Sequence, residues 1–208
     1  MNATITLVII GITVLVSILC FNSSALFGAL SLKPYRVVRH NEWWRVITHG
    51  FVHGDYMHLL VNMIVLYSFG GYVEQYFREL HADGMVGSPF WAYIVLYFGG
   101  MIVATIHDLV KNRHNPYWSS IGASGAVSAV VFSTIFFEPW GKILLFGIIP
   151  IPGILFGILY LAYTQCSAKR GKDNINHYAH IYGAVFGFWY PVLLNPMLIH
   201  DFISEFKF

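Results

Sequence analysis

Residues 121–137 read IGASGAVSAVVFSTIFF, an apolar segment that contains no charged residue. A segment that crosses a bilayer needs about 20 mostly apolar residues to cover a hydrocarbon layer of about 30 Å. This one is slightly short, so we expect its polar start to lie at the membrane interface. At a rise of about 1.5 Å per residue, Ser124 is expected about 5 Å inside the helix, between Gly122 and Gly125.

The composition of the whole chain agrees with a protein whose solvent is the bilayer. Of its 208 residues, 57% are hydrophobic and only 11% are charged, and the mean hydropathy is +0.62. This is too little charge to cover the surface of a water-soluble domain. A net charge of +2 without a run of basic residues argues against a nucleic-acid partner. Two cysteines, Cys20 and Cys166, are too few for a disulfide framework or a four-thiolate zinc site.

Six apolar segments predict an all-α membrane protein in which residues 1–208 form a single domain. The predicted spans are residues 3–21, 58–73, 89–106, 121–137, 143–166 and 178–199. The fifth span contains Pro150 and Pro152, which lack backbone donors and should kink or interrupt it.

The long connection between the first two spans, residues 22–57, combines cationic and aromatic side chains. Lys33 and three arginines occur there together with Trp43 and Trp44. Such mixtures favour the headgroup region of a bilayer. We therefore expect this first loop to lie in the membrane interface, with the lipid bilayer as a partner of the protein.

Strongly polar residues are costly inside a membrane and often mark function there. They occur at the starts of three predicted spans: His58 and Asn62 in the second, Ser124 in the fourth and His180 in the sixth. An even number of crossings separates these starts, so all three spans are entered from the same side. Topology therefore predicts that these side chains meet at a similar depth, close to one face of the membrane.

The residue types at this depth suit nucleophilic catalysis. A serine hydroxyl becomes a competent nucleophile when a neighbouring histidine accepts its proton. Ser124 and His180 are therefore the candidate nucleophile and base. The side chains of His58 and Asn62, together with the backbone N–H of Ser124, could stabilise an oxyanion. No acid has a spacing that forces contact with His180, so the sequence predicts a dyad rather than a triad.

Each of these residues also has a simpler structural interpretation. Small residues such as those around Ser124 usually serve helix packing in membranes, and an isolated histidine or asparagine often only hydrogen-bonds to a neighbouring helix. For Gly183 and Gly187, a small-xxx-small pair, we keep the packing interpretation and expect span six to approach span four there. The coincidence of the other residues at one depth favours a functional site.

A metal site is not predicted. His49 and His53 are four residues apart, but the chain contains no H-E-x-x-H sequence, so both are assigned to structural hydrogen bonding. Glu74, at the far end of span two, is interpreted as a buried hydrogen-bonding anchor. Asp108, at the end of span three, is expected to be solvated or to cap a helix.

The order and spacing of these motifs resemble the rhomboid protease family over residues 42–190. The motifs are Trp44-Arg45, His53, His58-x-x-x-Asn62, Gly122-Ala123-Ser124-Gly125 and Ala179-His180-x-x-Gly183. The resemblance implies a six-helix rhomboid bundle with a Ser124–His180 dyad and an oxyanion hole of His58, Asn62 and the Ser124 amide. It assigns Trp44-Arg45 a structural role in the first loop.

The resemblance further implies an intramembrane serine endopeptidase that cuts other membrane proteins in or near their transmembrane helices, without a metal or cofactor. Span five and the loop before span six would act as gate and cap. The alternative is a rhomboid-like protein that binds or escorts membrane proteins without cutting them, although such a protein is expected to lack the serine or the histidine. A transporter is disfavoured because the polar residues gather at one end of the spans.

One residue departs from the pattern of some bacterial members, in which a tyrosine four residues after the serine supports the catalytic histidine. This chain has Ser128 at that position. We expect either Tyr178, Tyr182 or a hydroxyl group to support His180 instead.

The charge distribution and the resemblance predict opposite orientations. Of the 12 Lys and Arg residues, nine fall in the loops on the side of Ser124, which by the positive-inside rule would be cytoplasmic. The resemblance places that side outside, with both termini in the cytoplasm. We follow the resemblance and expect a multi-pass protein of a bacterial inner membrane whose active site faces the extracytoplasmic side.

Overall fold

The computed structural model describes residues 3–145, 147–171 and 175–207 of the chain. Helices account for most of these residues, as the apolar segments predict. The α-helices are α1 Thr4–Phe21, α2 Ser24–Leu30, α3 Pro34–His40, α4 Arg45–Thr48, α5 Tyr56–Ala82, α6 Pro89–Lys111, α7 Ser124–Phe137, α8 Gly153–Arg170, α9 His177–Leu194 and α10 Leu198–Ser204. A short 3₁₀ helix spans His49–Phe51, and two strands, β1 Lys142–Leu145 and β2 Ile149–Pro152, form an antiparallel hairpin.

Helix α7 occupies the centre of the bundle. Nearly all of its side chains between Gly125 and Phe136 are buried, whichever way they point. A helix that is apolar on every side is expected in the interior rather than at the surface. It packs against α5, α6, α8 and α9, which surround it. The residues at its first turn are therefore held by several neighbouring elements.

Helices α7 and α9 approach closely enough for their backbones to touch. A Cβ atom at Gly183 would lie 2.1 Å from the carbonyl oxygen of Gly125, and one at Gly187 would lie 2.0 Å from that of Ala129. Small residues allow this kind of approach between membrane helices. Any larger side chain at Gly183 or Gly187 would push α9 away from α7.

The outer surface of the bundle is apolar, which confirms the predicted all-α membrane fold. In the described parts of the chain, three helices are long and apolar enough to cross a bilayer: α1, α5 and α6. Helices α9 and α10 together would make a fourth, although the chain bends by 116° between them. Helix α7 is apolar but has only 14 residues. The count of six spans stays a prediction.

The predicted fifth span begins too early. Strands β1 and β2 form a hairpin, in which Ile143 pairs with Ile151, and helix α8 begins only at Gly153. The prediction of a span from Ile143 is therefore wrong, although the expected interruption by prolines is present. Pro150 and Pro152 cannot donate the hydrogen bonds that a helix interior requires.

Helix α7 also starts later than its apolar segment does. Gly122 has a backbone φ of 111°, a region that residues with a side chain rarely adopt, so the helix cannot extend back to Ile121. Ala123 is the N-cap, and Ser124 is the first helical residue. Ser124 therefore lies at the tip of the helix and not about one turn inside it, as the sequence had suggested.

The first loop is organised around a buried arginine. Arg45 is only 4% exposed and donates hydrogen bonds to the carbonyl oxygens of Gly28 (2.9 Å) and Ser31 (2.7 Å) and to the carboxylate of Glu42 (2.5 Å). These bonds connect α2 to α4. The neighbouring Trp44 side chain is exposed, as a loop that contacts a membrane interface would require.

Glu74 connects two helices at the opposite end of the bundle. Its side chain is 2% exposed, and its Oε1 accepts a hydrogen bond of 2.7 Å from the backbone N–H of Thr6 in the first turn of α1. The first N–H groups of a helix have no acceptor within the helix. Glu74 therefore supplies α1 with an acceptor from α5.

We expect Glu74→Ala to lower the stability of the bundle by about 1–3 kcal/mol, because it leaves a buried N–H group without an acceptor. Glu74→Gln keeps an oxygen acceptor and should lose less. The thermal midpoint of the detergent-solubilised protein measures both, with the exposed Glu79→Ala as the control. Equal midpoints for the Glu74→Ala and Glu79→Ala variants would contradict this role.

Candidate active site

Ser124 and His180 are in direct contact. The Oγ atom of Ser124 lies 2.8 Å from Nε2 of His180, a normal hydrogen-bond distance. Ser124 is the first residue of α7, and His180 lies in the first turn of α9. Because α7 and α9 run in the same direction and touch at Gly125 and Gly183, their starts lie side by side.

The loop before Ser124 is fixed by two hydrogen bonds that its backbone N–H groups donate. The N–H of Gly122 donates to the carbonyl oxygen of His49 (3.0 Å), and the N–H of Ala123 donates to Nε2 of His53 (3.4 Å). A Cβ atom at Gly122 would lie 2.9 Å from Cε1 of His58, and its φ also disfavours a side chain. Glycine at this position therefore allows the loop to pass against the imidazole of His58.

His53 connects this loop to helix α1. The Ser17 hydroxyl donates to the carbonyl oxygen of Phe51 (2.8 Å) and lies 2.9 Å from Nδ1 of His53. Since the Ser17 proton is used for Phe51, the Nδ1–H of His53 donates to Ser17, and its Nε2 is free to accept from Ala123. Burial lowers the pKa of His53 to about 3, so the ring is neutral near pH 7 and can keep this tautomer.

His58 and Asn62 lie on one face of α5, next to the start of α7. The rings of His53 and His58 are 4.9 Å apart between centroids, and the Asn62 amide donates a 2.9 Å bond to the carbonyl oxygen of His58. Both residues line the same cleft as Ser124 and His180. The backbone N–H of Ser124 lies at a helix N-terminus, where N–H groups have no acceptor within the helix.

A large cleft of about 1210 Å³ leads from this cluster between α5 and α8. One wall is formed by α5, with Val61 and Val65, and the other by α8, with Phe156 and Tyr163. Polar side chains, among them Ser124 and His180, line the cleft together with these apolar ones. The cleft can therefore admit an elongated apolar molecule and present it to a polar pair.

The start of α9 is held by an asparagine that the sequence reasoning missed. The Asn176 side chain accepts from the N–H of Ala179 (3.2 Å), and its amide donates to Ser120 (3.2 Å) and to Asp108 (2.5 Å). Asp108 is 2% exposed, so it is not solvated. Its carboxylate accepts a hydrogen bond from Asn176, the N-cap residue of α9, and so supports that cap. An asparagine immediately before an apolar helix was the available signal for this N-cap.

The aromatic ring beside His180 comes from an unexpected helix. Tyr178 stacks on His107, with 3.9 Å between ring centroids, and Tyr182 lies 6.3 Å from the same His107 ring. The ring that lies nearly parallel to His180 belongs to Tyr160 of α8, at 6.3 Å and an angle of 17°. The Tyr160 hydroxyl forms a 2.9 Å hydrogen bond with Ser128, the residue at the position where some bacterial rhomboid proteases have a tyrosine.

Comparisons with known proteins identify the family of the chain. The family model described as "Rhomboid domain" matches residues 40–196. RHOMBOID-like protein 12, mitochondrial, of Arabidopsis thaliana is 30% identical over 67% of the chain, and Presenilin-associated rhomboid-like protein A, mitochondrial, of Danio rerio is 26% identical over 70%. Rhomboid protease GluP of Bacillus subtilis is 27% identical over 81% of the chain.

These matches cover 43%, 36% and 29% of the relatives' own lengths, so the chain spans less than half of each. The matched family region contains Ser124 and His180 and extends through α4–α9. The family predicted from the motifs is confirmed: the chain belongs to the rhomboid family.

Proposed function

We propose that this protein is an intramembrane serine endopeptidase that hydrolyses peptide bonds in or near the transmembrane helices of other membrane proteins. The observation that carries the proposal is the 2.8 Å contact between Ser124 Oγ and His180 Nε2, in a cleft whose walls on α5 and α8 include apolar side chains. The name of the Bacillus subtilis relative, a rhomboid protease, is consistent with it.

In the first step, Ser124 Oγ attacks the carbonyl carbon of the substrate while Nε2 of His180 accepts the hydroxyl proton. The resulting imidazolium then gives that proton to the leaving amine, and the peptide C–N bond breaks. Water, activated by the same imidazole, hydrolyses the acyl-enzyme. Proton transfer by a positioned side chain of this kind accelerates reactions by about 10²–10⁴-fold.

Negative charge develops on the carbonyl oxygen in both tetrahedral intermediates. The N–H of Ser124, at the N-terminus of α7, and the side chains of His58 and Asn62 are the donors we assign to it. In the structure the Asn62 amide donates to its own helix at the carbonyl of His58, and its second N–H is the one available to substrate. Each such donor typically contributes about 10²–10³-fold.

We expect Ser124→Ala and His180→Ala to reduce cleavage of a helix-containing reporter substrate by at least about a thousandfold, because each removes a reacting group. Gel analysis of products in detergent measures the loss. Ser68→Ala is the matched control, since Ser68 is an exposed serine of α5. Equal cleavage of the reporter by wild type and Ser124→Ala would contradict the protease function. The remaining hypothesis would then be a protein that binds or escorts membrane proteins without cutting them.

We further propose that α8 acts as a gate through which the substrate helix enters the cleft. The first residue of α8, Gly153, directly follows the β1–β2 hairpin, which separates α8 from α7 in the chain. Its cleft-facing side chains lie opposite α5, across an open space. Movement of α8 away from α5 would widen this space without disturbing the contact between α7 and α9.

A thiol-cleavable cross-link between α5 and α8 tests the gate. We expect a Val61→Cys/Tyr163→Cys variant, in a Cys166→Ser background, to lose about tenfold or more of its cleavage rate when linked, because closure blocks entry. Reduction of the linker should restore the rate, so the reduced variant is its own control. Full cleavage by the linked protein would contradict a gate between these helices.

The protein is an integral membrane protein, and we propose a bacterial inner membrane with the Ser124 side facing outward. The relatives described above are mitochondrial by name or come from a bacterium, and the bacterial relative supports a bacterial membrane. The basic residues on the Ser124 side oppose it, but four of them, Lys33, Arg36, Arg39 and Arg45, lie in the first loop. Two of these are engaged by Glu42, which lowers their effect as free charges.

Reporter fusions after residue 208 test this orientation. We expect a green fluorescent protein fused there to fluoresce and an alkaline phosphatase to be inactive, because both outcomes require a cytoplasmic C-terminus. The reverse pattern would place Ser124 on the cytoplasmic side.

A further inference from the structure

The ring of Tyr160 lies on the wall of the cleft, among side chains from three helices. Phe132 of α7 lies 5.6 Å away, Phe156 of α8 lies 5.8 Å away, and the hydroxyl of Tyr160 bonds to Ser128 of α7 at 2.9 Å. The imidazole of His180, from α9, is nearly parallel to the ring at 6.3 Å. Aromatic pairs with offset parallel geometry in this distance range attract each other.

These contacts restrict how the imidazole can move. The Tyr160 ring lies on one side of the His180 ring and is itself fixed by Ser128 and two phenylalanines, so it limits movement of the imidazole toward that side. An imidazole that stays in place keeps its Nε2 directed at Ser124. Precise orientation of reacting groups is a large part of catalytic rate.

The position of Tyr160 in the chain adds a second consequence. The N-terminal part of α8 lies against α7, where a Cβ at Gly157 would be in van der Waals contact with Phe132 and Ile135 at 3.4 Å. Tyr160 lies about one turn further along α8, on the wall of the cleft. A movement of α8 that opens the cleft therefore also moves the ring that rests beside His180.

From these contacts we propose that Tyr160 is a positioning residue for His180, and that its bond to Ser128 couples closure of α8 to the competence of the Ser124–His180 pair. This inference rests on the proposed protease function. Ser124 and His180 are fully oriented only when α8 lies against α7. While α8 is displaced to admit a substrate helix, the pair is less active. Cleavage follows once α8 has returned.

The test compares Tyr160→Phe, Ser128→Ala, the double variant and Tyr160→Leu in the full-length detergent-solubilised protein. Two readouts are used: kcat and KM for a helix-containing reporter, and the pH dependence of the rate at which a small fluorophosphonate modifies Ser124. The probe is small relative to the cleft, so its rate reports the Ser–His pair and not the entry of a helix. Tyr67→Phe and Ser68→Ala are the matched controls, because both side chains are exposed on α5.

We expect Tyr160→Phe and Ser128→Ala each to lower kcat and the modification rate by about threefold to tenfold, the effect of one hydrogen bond. The double variant should be no slower than the slower single variant, because both changes remove the same bond. Tyr160→Leu also removes the ring and should lower both rates by about tenfold to a hundredfold, with a shifted pH profile and an almost unchanged KM. The controls should stay within about twofold of wild type.

Two results would overturn the inference. Modification rates within about twofold of wild type for Tyr160→Leu and Ser128→Ala would show that the ring does not orient the base. A change confined to KM would assign Tyr160 to substrate contact. If Tyr160→Leu fails to fold, the smaller Tyr160→Phe and Ser128→Ala changes decide. A wild-type protein that neither cleaves nor is modified at Ser124 would defeat the proposed function itself.

Discussion

The contact between the backbones of α7 and α9 is the constraint on which the site depends. At Gly183 and Gly187 these helices are separated by less than the space that one methyl group would need. This distance sets the separation between the starts of the two helices, and those starts carry Ser124 and His180. In a bilayer, where apolar side chains gain little by leaving lipid, close packing of small residues is a main source of helix association. Packing and the geometry of the Ser–His pair therefore have the same origin here.

The loops that precede α7 and α9 fix the starts of these two helices. The turn at Gly122 ends the loop so that α7 starts with the serine, and two histidines of the first loop accept the hydrogen bonds that hold the turn. At the start of α9, Asn176 performs the corresponding task with the help of Asp108. Both halves of the pair are thus held by neutral or paired polar groups that are shielded from lipid.

Much of this arrangement could be predicted from the sequence. Parity of the spans placed Ser124 and His180 on the same side, and the motif order identified the family, because both depend on spacing along the chain. The pair Gly183 and Gly187 pointed to close packing for the same reason. Such features are local or topological, and a single sequence retains them.

Other features depend on contacts between distant segments, which spacing does not reveal. Apolar composition alone could not distinguish the β1–β2 hairpin from a helix, because short apolar runs suit both. The contacts of Tyr160 were not predicted because its partners, Ser128 and His180, come from other helices. For Asp108 the sequence left open a solvated group or a helix cap, because its partner Asn176 lies 68 residues away.

Helix α1 has a relation to the site that its position in the chain conceals. It lies outside residues 40–196, the region matched by the family model, yet its Ser17 hydroxyl touches the imidazole that holds the Ser124 loop, and its inner end is attached to α5 through Glu74. Helix α1 is therefore hydrogen-bonded to the rest of the bundle near both of its ends. A change in a helix that lies outside the matched region can therefore reach the nucleophile through Ser17.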